Sequence, residues 1–242
     1  MKVSVVIPTH NRSKLVVRAI DSVLRQTYQN FEVIIVSDGS TDDTEFVLKE
    51  ISEKDARVRF ISYQNAKGGN YARNIGIREA TGDFVAFLDD DDEWMPEKLE
   101  LQLNEFKKNE ALGLVYTGVE IVYDDKNIKY YSTPRKIGDL SKDILIRNYI
   151  GTTSSVVIKK NLFSKIGLFD ENLKALQDYD VWIRACQITK VGAVSKPLVI
   201  YHNFTSVKQI SDDLQKYVDA IKYIRKKYEK YYNDLDHMSL IK

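Results

Sequence analysis

The chain has 242 residues, with 36 lysines and arginines against 35 aspartates and glutamates and a formal net charge of +1. This balance excludes a general polyanion binder, because such proteins need a surplus of cations. The single cysteine, Cys186, excludes an internal disulfide framework and a cysteine-rich zinc site. No run of about 18 apolar residues is available to span a bilayer. The short apolar N-terminus, followed at once by Pro8, predicts a strand rather than a signal peptide.

The first part of the chain alternates apolar runs with segments of helical periodicity. Strands are predicted at residues 3–7, 31–36, 58–62 and 84–88, and helices at 13–25, around 46–51 and at 71–80, the first of them capped by Ser13. Strands that alternate with helices favour a doubly wound, mostly parallel sheet flanked by helices. In such sheets ligands bind beyond the carboxyl ends of the strands. Polar residues collect there: Thr9, Asn11, Asp38 and the acidic run at 89–92.

The pattern changes after residue 95. It predicts a helix at 96–109, a strand hairpin at 114–123 and 128–131, a strand at 153–158, a short helix at 161–166, a helix at 179–188, an extended segment at 192–201 and a helix from Asp212 onward. Neither an internal repeat nor a clear linker is visible. We therefore expect one domain with a nucleotide-type first half and a mixed second half.

The strongest chemical signal is a run of acidic residues from Asp89 to Glu93, directly after a predicted buried strand. Two unit charges ~4 Å apart repel each other by about 4 kcal/mol at an effective dielectric constant near 20. A hard divalent cation with oxygen ligands would offset that repulsion. The alternative is a solvated acidic loop, which is the usual nature of a charge run. The position beyond a strand end, with Trp94 beside the run, favours the metal site.

Five ordered segments of the chain resemble the signatures of family 2 glycosyltransferases, which have the GT-A fold. They are residues 3–12, 36–44, 72–76, 88–94 and a block at 167–173 that is followed by 177–184. The resemblance covers roughly residues 2–202. It implies a GT-A domain at 1–205, with a nucleotide-binding half at 1–95 and an acceptor half at 96–205. An amphipathic helical extension at 206–242 would pack on the same domain.

The resemblance implies roles for particular residues around the acidic run. Asp89-Asp90-Asp91 is similar to the family's Asp-x-Asp motif, whose last carboxylate binds Mn²⁺ or Mg²⁺ on the donor diphosphate and whose first contacts the ribose side. Asp91 and Asp89 are therefore expected as metal ligands, and His202 is a further candidate, with a structural role as its alternative. The residues expected to bind the nucleotide sugar are Pro8, Thr9, Asn11, Asp38, Arg73, Asp89 and Asp90.

Several of these donor-side residues could instead have purely structural roles. Asp38 before Gly39 also fits an Asx turn. Asn11 could serve only to fix its loop. Arg73 could be a surface arginine paired with Glu79 or Asp83. Thr152, Thr153 and Ser154 suit either an acceptor pocket or an exposed strand start.

The expected catalytic base is Asp178, by the same resemblance. Inverting transfer needs a carboxylate that removes the proton of the acceptor hydroxyl as its oxygen attacks the anomeric carbon. From the sequence alone Asp180 competes for this role, and Asp178 could instead be the N-cap of a helix. The family often has Glu-Asp here, whereas this chain has Gln177-Asp178, which puts an acceptor contact at position 177 in doubt.

These expectations combine into a metal-dependent, inverting transfer of a hexose or N-acetylhexosamine from a UDP-sugar to a glycan or lipid-linked acceptor. The alternatives are a nucleotidyltransferase and a non-catalytic nucleotide- or carbohydrate-binding module. No nucleic acid partner is expected, and a homodimer stays open. The basic, tyrosine-rich segment 222–230 suits either packing on the domain or contact with an anionic membrane. We expect a cytoplasmic protein, with the inner face of the membrane as a peripheral site.

Overall fold

A nine-stranded sheet forms the centre of the part of the chain that the computed structural model describes, which is residues 1–123, 126–203 and 214–235. Its strand order is β3-β2-β1-β4-β8-β6-β9-β5, with β7 beside β6. The strands are β1 Val3–Thr9, β2 Phe31–Asp38, β3 Val58–Tyr63, β4 Phe84–Phe87, β5 Glu93–Trp94, β6 Leu112–Tyr123, β7 Ile128–Ser132, β8 Val157–Lys159 and β9 Lys190–Asn203.

Helices cover both faces of this sheet. They are α1 Ser13–Leu24, α2 Thr44–Lys54, α3 Gly69–Glu79, α4 Lys98–Lys108, α5 Asp143–Ile146, α6 Phe163–Ile166, α7 Gln177–Cys186, α8 Leu214–Lys227 and α9 Glu229–Asn233, with 3₁₀ turns at Thr153–Ser155 and Lys160–Leu162. None of the helices within the described ranges has the length and apolar character needed to cross a membrane.

The first four strands are parallel; β1, β2 and β4 are buried on both faces, whereas β3 at the sheet edge is half-buried. β1 lies between β2 and β4, and β3 extends the sheet beyond β2. Val5 and Ile7 pack into one apolar core with α1, whereas Val6 packs into a second core on the opposite face. Continuous β-branched runs form such strands because every side chain meets apolar neighbours. Parallel pairing brings the carboxyl ends of β1, β2 and β4 to one edge of the sheet.

The second half of the chain completes the sheet with mixed pairing. β8 runs antiparallel to β4 and β6, β9 runs parallel to β6, and β5 pairs antiparallel to β9. β6 and β7 form the predicted hairpin, although residues 124 and 125 at its turn lie outside the described residues. The predicted mostly parallel α/β sheet flanked by helices is therefore confirmed.

Two local predictions are wrong. Residues 153–155 form a 3₁₀ turn rather than a strand, because the Ser155 hydroxyl donates to the Thr152 carbonyl at 2.8 Å and diverts the backbone from the ladder. Ser13 is the first residue of α1 rather than its cap, and Arg12 holds the N-cap position without a side-chain capping bond.

The C-terminal helix packs on the body of the protein along a narrow stripe. Ala220, Ile224 and Tyr228 are buried in one of the two apolar cores. The predicted domain limit near residue 205 and the predicted helix start at Asp212 lie outside the described residues.

Candidate active site

A cavity of about 830 Å³ opens at the carboxyl ends of β1, β2 and β4. Its wall includes most of the residues singled out from the sequence: Pro8, Thr9, Asp38, Arg73, Asp89, Asp90, Asp91, Thr152, Thr153, Gln177 and Asp178. Asn11 and His202 are not part of this wall. The fold thus places the acidic run and Asp178, which are far apart in sequence, on one cleft.

Asp89 is held by groups from two sides of the cleft. Arg73 Nη2 donates to Asp89 Oδ1 at 2.6 Å, and Thr153 Oγ1 donates to Oδ2 at 3.0 Å. Burial works against the charge of Arg73, but Asp89 outweighs it and raises the pKa of the guanidinium. The pairing of Arg73 with Glu79 or Asp83 is therefore wrong, and Arg73 keeps a positive charge at the centre of the cleft.

Asp90 and Asp91 share one arginine that the sequence analysis did not single out. Arg12 Nη1 donates to Asp90 Oδ1 and to Asp91 Oδ2, both at 2.8 Å, and Thr9 Oγ1 donates to Asp90 Oδ2 at 2.7 Å. Burial raises the pKa of Asp90 to about 6 and also raises that of Asp91, against the lowering effect of Arg12. The sequence signals for Arg12 are its place in the loop after β1 and at the end of segment 3–12 that resembles the family, since its partners are 78 and 79 residues away.

Asp92 is fully buried beneath the same run. Its Oδ2 accepts a hydrogen bond of 2.5 Å from Ser154 Oγ, and Trp94 Nε1 donates to the Ser154 carbonyl at 2.9 Å. Within the described part of the chain, Asp92 Oδ1 has no hydrogen-bond donor. Burial raises the pKa of Asp92 well above its ordinary value. Ser154 therefore joins the acidic run to the 3₁₀ turn that carries Thr153.

The acidic run has the donor chemistry of a site for a hard cation. Among residues 1–123, 126–203 and 214–235, no group of three or more His, Cys, Asp or Glu side chains is already arranged around a common ion position. The raised pKa values of Asp90 and Asp91 nevertheless mean that the nearby arginines do not fully offset the burial of these carboxylates. Carboxylate oxygens in such a setting fit Mg²⁺ or Mn²⁺.

The Asp38 carboxylate organises the loop at the end of β2. It accepts hydrogen bonds from the Tyr63 hydroxyl and the Lys67 N–H, both at 2.7 Å, and from the Gly68 N–H at 2.8 Å. These donors lie more than 20 residues away, so the Asx-turn interpretation is wrong. Asp38 instead ties β2 to the glycine pair from which α3 begins.

Asn11 makes the contacts of a residue that fixes its loop. It has a left-handed backbone with φ of 52°, and its Oδ1 accepts a hydrogen bond of 2.7 Å from the Thr41 N–H. These contacts hold the loop after β1 against the loop after β2.

Asp178 lies in the first turn of α7 and lines the same cavity as the strand-end residues. α7 begins at Gln177, and Asp178 Oδ1 accepts a hydrogen bond of 2.7 Å from the Tyr179 N–H. Leu176, and not Asp178, is the N-cap residue, so the capping alternative is wrong. Burial raises the pKa of Asp178 to about 6, while the Tyr179 N–H and the charge of Arg73 oppose that rise.

Asp180 has a different environment, although it is only two residues further along. It is fully buried and does not line the cavity. Arg184 Nη2 lies 2.7 Å from its Oδ2, and Lys227 Nζ and the Tyr228 hydroxyl lie 2.8 and 2.6 Å from its Oδ1. These contacts leave Asp178 as the carboxylate of the pair that faces the cleft.

His202 is the predicted site residue that lies apart from the others. It is buried on β9, and its Nε2 is 3.0 Å from Glu93 Oε1. Arg18 Nε also lies 3.4 Å from this Glu93 oxygen. His202 thus contacts the far end of the acidic run rather than the carboxylates on the cavity wall.

Comparison with solved structures shows the same fold. S. aureus TarS in complex with UDP-GlcNAc matches 99% of this chain and 69% of its own, with a TM-score of 0.78 and 20% identity. A mannosyltransferase from Pyrobaculum calidifontis in complex with GDP-Man and Mn²⁺ matches 82% of this chain and 56% of its own, with a TM-score of 0.62 and 18% identity. These matches show the GT-A fold.

Comparison with sequences shows the family. An uncharacterized glycosyltransferase of Haemophilus influenzae is 34% identical over 94% of this chain and 77% of its own length. The Escherichia coli protein WfgD, a UDP-Glc:alpha-D-GlcNAc-diphosphoundecaprenol beta-1,3-glucosyltransferase, is 31% identical over 80% of this chain and 73% of its own. The chain spans only 28% to 60% of the length of four Rickettsia relatives. A family model, Glycosyl transferase family 2, matches residues 4–167, and the chain therefore belongs to this family of glycosyltransferases.

Proposed function

We propose that this protein is an inverting glycosyltransferase that moves a hexose or N-acetylhexosamine from a UDP-sugar to a hydroxyl group of a glycan or lipid-linked acceptor. The observation that carries the proposal is the shared cavity, which is lined by both the acidic run and Asp178. WfgD, whose name gives UDP-Glc as donor and a diphosphoundecaprenol-linked sugar as acceptor, supports both substrate classes.

The strand-end wall is proposed to bind the donor. Pro8, Thr9, Asp38, Arg73, Asp89 and Asp90 line it, and Arg73 is a buried cation suited to a diphosphate. Asn11 would act through the loop that it fixes. Asp91 and Asp89 would hold Mn²⁺ or Mg²⁺, with His202 as a further candidate ligand. When bound, the cation supplies positive charge to the nucleoside diphosphate that leaves.

Asp178 is proposed to act as the general base. Its ionised carboxylate accepts the proton of the acceptor hydroxyl, whose oxygen forms a bond to the anomeric carbon of the donor. The bond from that carbon to the diphosphate oxygen breaks, and its electron pair leaves with UDP. A single displacement of this kind inverts the anomeric configuration. A positioned base contributes typically about 10²–10⁴-fold to such a rate.

The far end of the cavity is proposed to bind the acceptor. Val119 and Ile121 of β6, Leu176, Tyr201 of β9 and Tyr217 of α8 line it. Aromatic and aliphatic walls with a few polar groups are typical of sites for organic ligands, and the faces of tyrosine rings suit the C–H faces of a pyranose. Gln177 stands beside Asp178 on this wall and is available to an acceptor hydroxyl.

Peripheral contact with the inner face of the cytoplasmic membrane would suit a lipid-linked acceptor. α8 exposes Leu214 and Ile221 together with the basic residues Lys222, Arg225 and Lys226. Exposed apolar and cationic groups on one helix are typical of helices that lie on anionic lipid. This contact, the homodimer and the domain limit at residue 205 stay predictions.

The test of the proposed function is Asp178→Asn, which keeps the side-chain shape and removes the base. We expect UDP binding in the presence of Mn²⁺, measured by calorimetry, to be unchanged. Release of UDP from the preferred UDP-sugar with its acceptor should fall by about 10²–10⁴-fold. Asp21→Asn, at an exposed site on α1, is the matched control.

Normal turnover in Asp178→Asn would exclude Asp178 as the base and favour a non-catalytic binding module, which does not need that carboxylate. No observation favours a nucleotidyltransferase. Such an enzyme should carry a glycine-rich, basic loop directly after β1, where this chain has Pro8, Thr9 and His10.

A further inference from the structure

We propose that Lys227 of the C-terminal helix α8 is a positioning residue for Asp178, holding both ends of the segment that carries Asp178 into the cleft. This inference rests on the proposed function, because it concerns the reaction at the same site. Lys227 does not line the cavity and would act only through the residues that it binds.

The segment concerned is residues 167–176, which leads from α6 into α7. Its inner side is held by α3, the helix that also carries Arg73. Asn70 Nδ2 donates to the carbonyl oxygens of Asp170 and Leu173 at 2.8 and 2.9 Å. Asn74 exchanges two hydrogen bonds with the Phe169 backbone, at 2.8 and 2.9 Å. The donor half of the molecule therefore fixes this inner side.

The outer side of the segment is held by α8. Lys227 Nζ lies 2.7 Å from Asp170 Oδ2 and 2.8 Å from Asp180 Oδ1. One ammonium group thus joins the beginning of the segment to the first turn of α7 at its end. The Tyr223 hydroxyl donates to Asp170 Oδ2 at 2.9 Å, and the Tyr228 hydroxyl donates to Asp180 Oδ1 at 2.6 Å.

The charges in this cluster are balanced only when Lys227 is present. Asp180 is fully buried and Asp170 mostly so, with 14% of its side chain exposed. Among the residues that the structure describes, Arg184 and Lys227 are the cations that face Asp180. Without Lys227, a buried carboxylate has too few partners, and the segment must shift or admit water.

A strained residue makes the position of Asp178 sensitive to such a shift. Leu176, two residues before Asp178, has a left-handed backbone with φ of 57°. A branched side chain adopts this conformation only where surrounding contacts enforce it. The contacts that α8 makes with Asp170 and Asp180 form a clamp, and Leu176 lies between these two residues in the sequence. Loss of the clamp would let the start of α7 relax. A displacement of about 1 Å at a reacting group can lower a rate by about 100-fold.

The experiment uses Lys227→Met, which keeps the aliphatic length and removes the charge. Turnover is measured as UDP released from UDP-glucose or UDP-GlcNAc with Mn²⁺ and diphosphoundecaprenol-linked GlcNAc as acceptor, per UDP-binding site counted by calorimetry. We expect kcat to fall about 10-fold or more, because the base is misplaced. The donor KM and the Kd for UDP should stay within about twofold, because the strand-end wall is untouched. Lys227→Arg should restore most of the turnover.

The matched control is Lys49→Met, at an exposed lysine on α2, which should have wild-type turnover. Tyr228→Phe tests the same clamp with a smaller change, since it removes one hydrogen bond to Asp180 and keeps the ring packed. Tyr228→Phe should lower kcat without raising the donor KM. If Lys227→Met does not fold, this variant alone tests whether the contacts of α8 position Asp178.

Wild-type turnover per UDP-binding site in Lys227→Met, or in Tyr228→Phe where only that variant folds, would overturn the inference and leave the proposed function intact. An equal loss in Lys49→Met would also overturn it, because the effect would then follow from the loss of any surface lysine. A wild-type protein that binds UDP but turns over no UDP-sugar would contradict the proposed function, and this inference with it.

Discussion

Asp178 and Asp180 show how two identical side chains on one helix turn acquire different chemistry. Asp180 meets an arginine, a lysine and a tyrosine hydroxyl in a fully buried position. Asp178 faces the cavity and accepts a hydrogen bond from the Tyr179 N–H. A saturated carboxylate serves as an anchor, whereas one that faces a cleft is available to a substrate proton.

The raised pKa of Asp178 predicts the acidic limb of the pH profile. Burial raises this pKa to about 6, and the base must be ionised to accept a proton. The measurement is kcat at saturating donor, Mn²⁺ and acceptor between pH 5 and 8. We expect kcat to fall about tenfold for each pH unit below about 6 and to level off above it. A kcat that is constant down to about pH 5 would contradict this role for Asp178.

The sequence located several site residues but not their partners. The acidic run and Asp38 could be found because they follow apolar strand segments, and strand ends meet at one edge of a parallel sheet. Arg12, which bridges Asp90 and Asp91, could not be found in this way. Its contacts depend on the distance between two loops in the folded sheet, which no local pattern encodes.

Among the elements, α3 links the apolar core to the site. Gly76 packs this helix directly on β1, since a Cβ at this position would lie 2.3 Å from Val6 Cγ1. One turn earlier, Arg73 reaches Asp89, and Asn70 and Asn74 hold the segment before α7. The close approach of α3 to β1 is therefore a condition for the geometry of the cleft.

Gly76→Ala tests this close approach. The added methyl group must displace Val6 or the whole helix, and overpacking of this kind costs typically about 1–3 kcal/mol of unfolding free energy. We expect a thermal midpoint lower by several degrees, measured by circular dichroism. Glu50→Ala, on the exposed face of α2, should leave the midpoint close to that of the wild type. An unchanged midpoint in Gly76→Ala would show that α3 can move away from β1 freely.

Hydrophobic periodicity predicts the long strands and helices correctly. It does not predict the conformation where a side chain bonds to the nearby backbone. The alternating apolar runs gave the first four strands to within two residues. Residues 153–155 contain hydroxylated types that also occur in the strands, yet the Ser155 hydroxyl donates to the Thr152 carbonyl in a 3₁₀ turn. The Thr153 and Ser154 hydroxyls donate to Asp89 and Asp92 instead. That turn places Thr153 beside Asp89. The incorrectly predicted strand therefore includes a residue of the site.

At the scale of the whole molecule, the cleft lies where the two halves of one sheet meet. The parallel strands β1 to β4 supply the acidic run and Asp38, while β6, β9, α7 and α8 supply other lining residues. Arg73 pairs with Asp89 and opposes the rise in the pKa of Asp178, so it links the two groups of residues. A ligand bound between the halves would contact both, and its binding energy would add to the stability of the folded state.

The effect of ligands on the thermal midpoint therefore tests, on the whole protein, whether Asp91 binds the cation. A ligand that binds only the folded state adds about 2.7 kcal/mol to the unfolding free energy at 100 times its Kd. We expect UDP with Mn²⁺ to raise the thermal midpoint of the wild type by more than UDP alone. Asp91→Asn should lose the Mn²⁺-dependent part of this rise, because the proposed cation ligand is gone, whereas Asp21→Asn should keep it. Each variant is compared with its own ligand-free midpoint, so a change in the stability of the ligand-free protein does not affect the comparison. An undiminished Mn²⁺-dependent rise in Asp91→Asn would exclude Asp91 as the cation ligand.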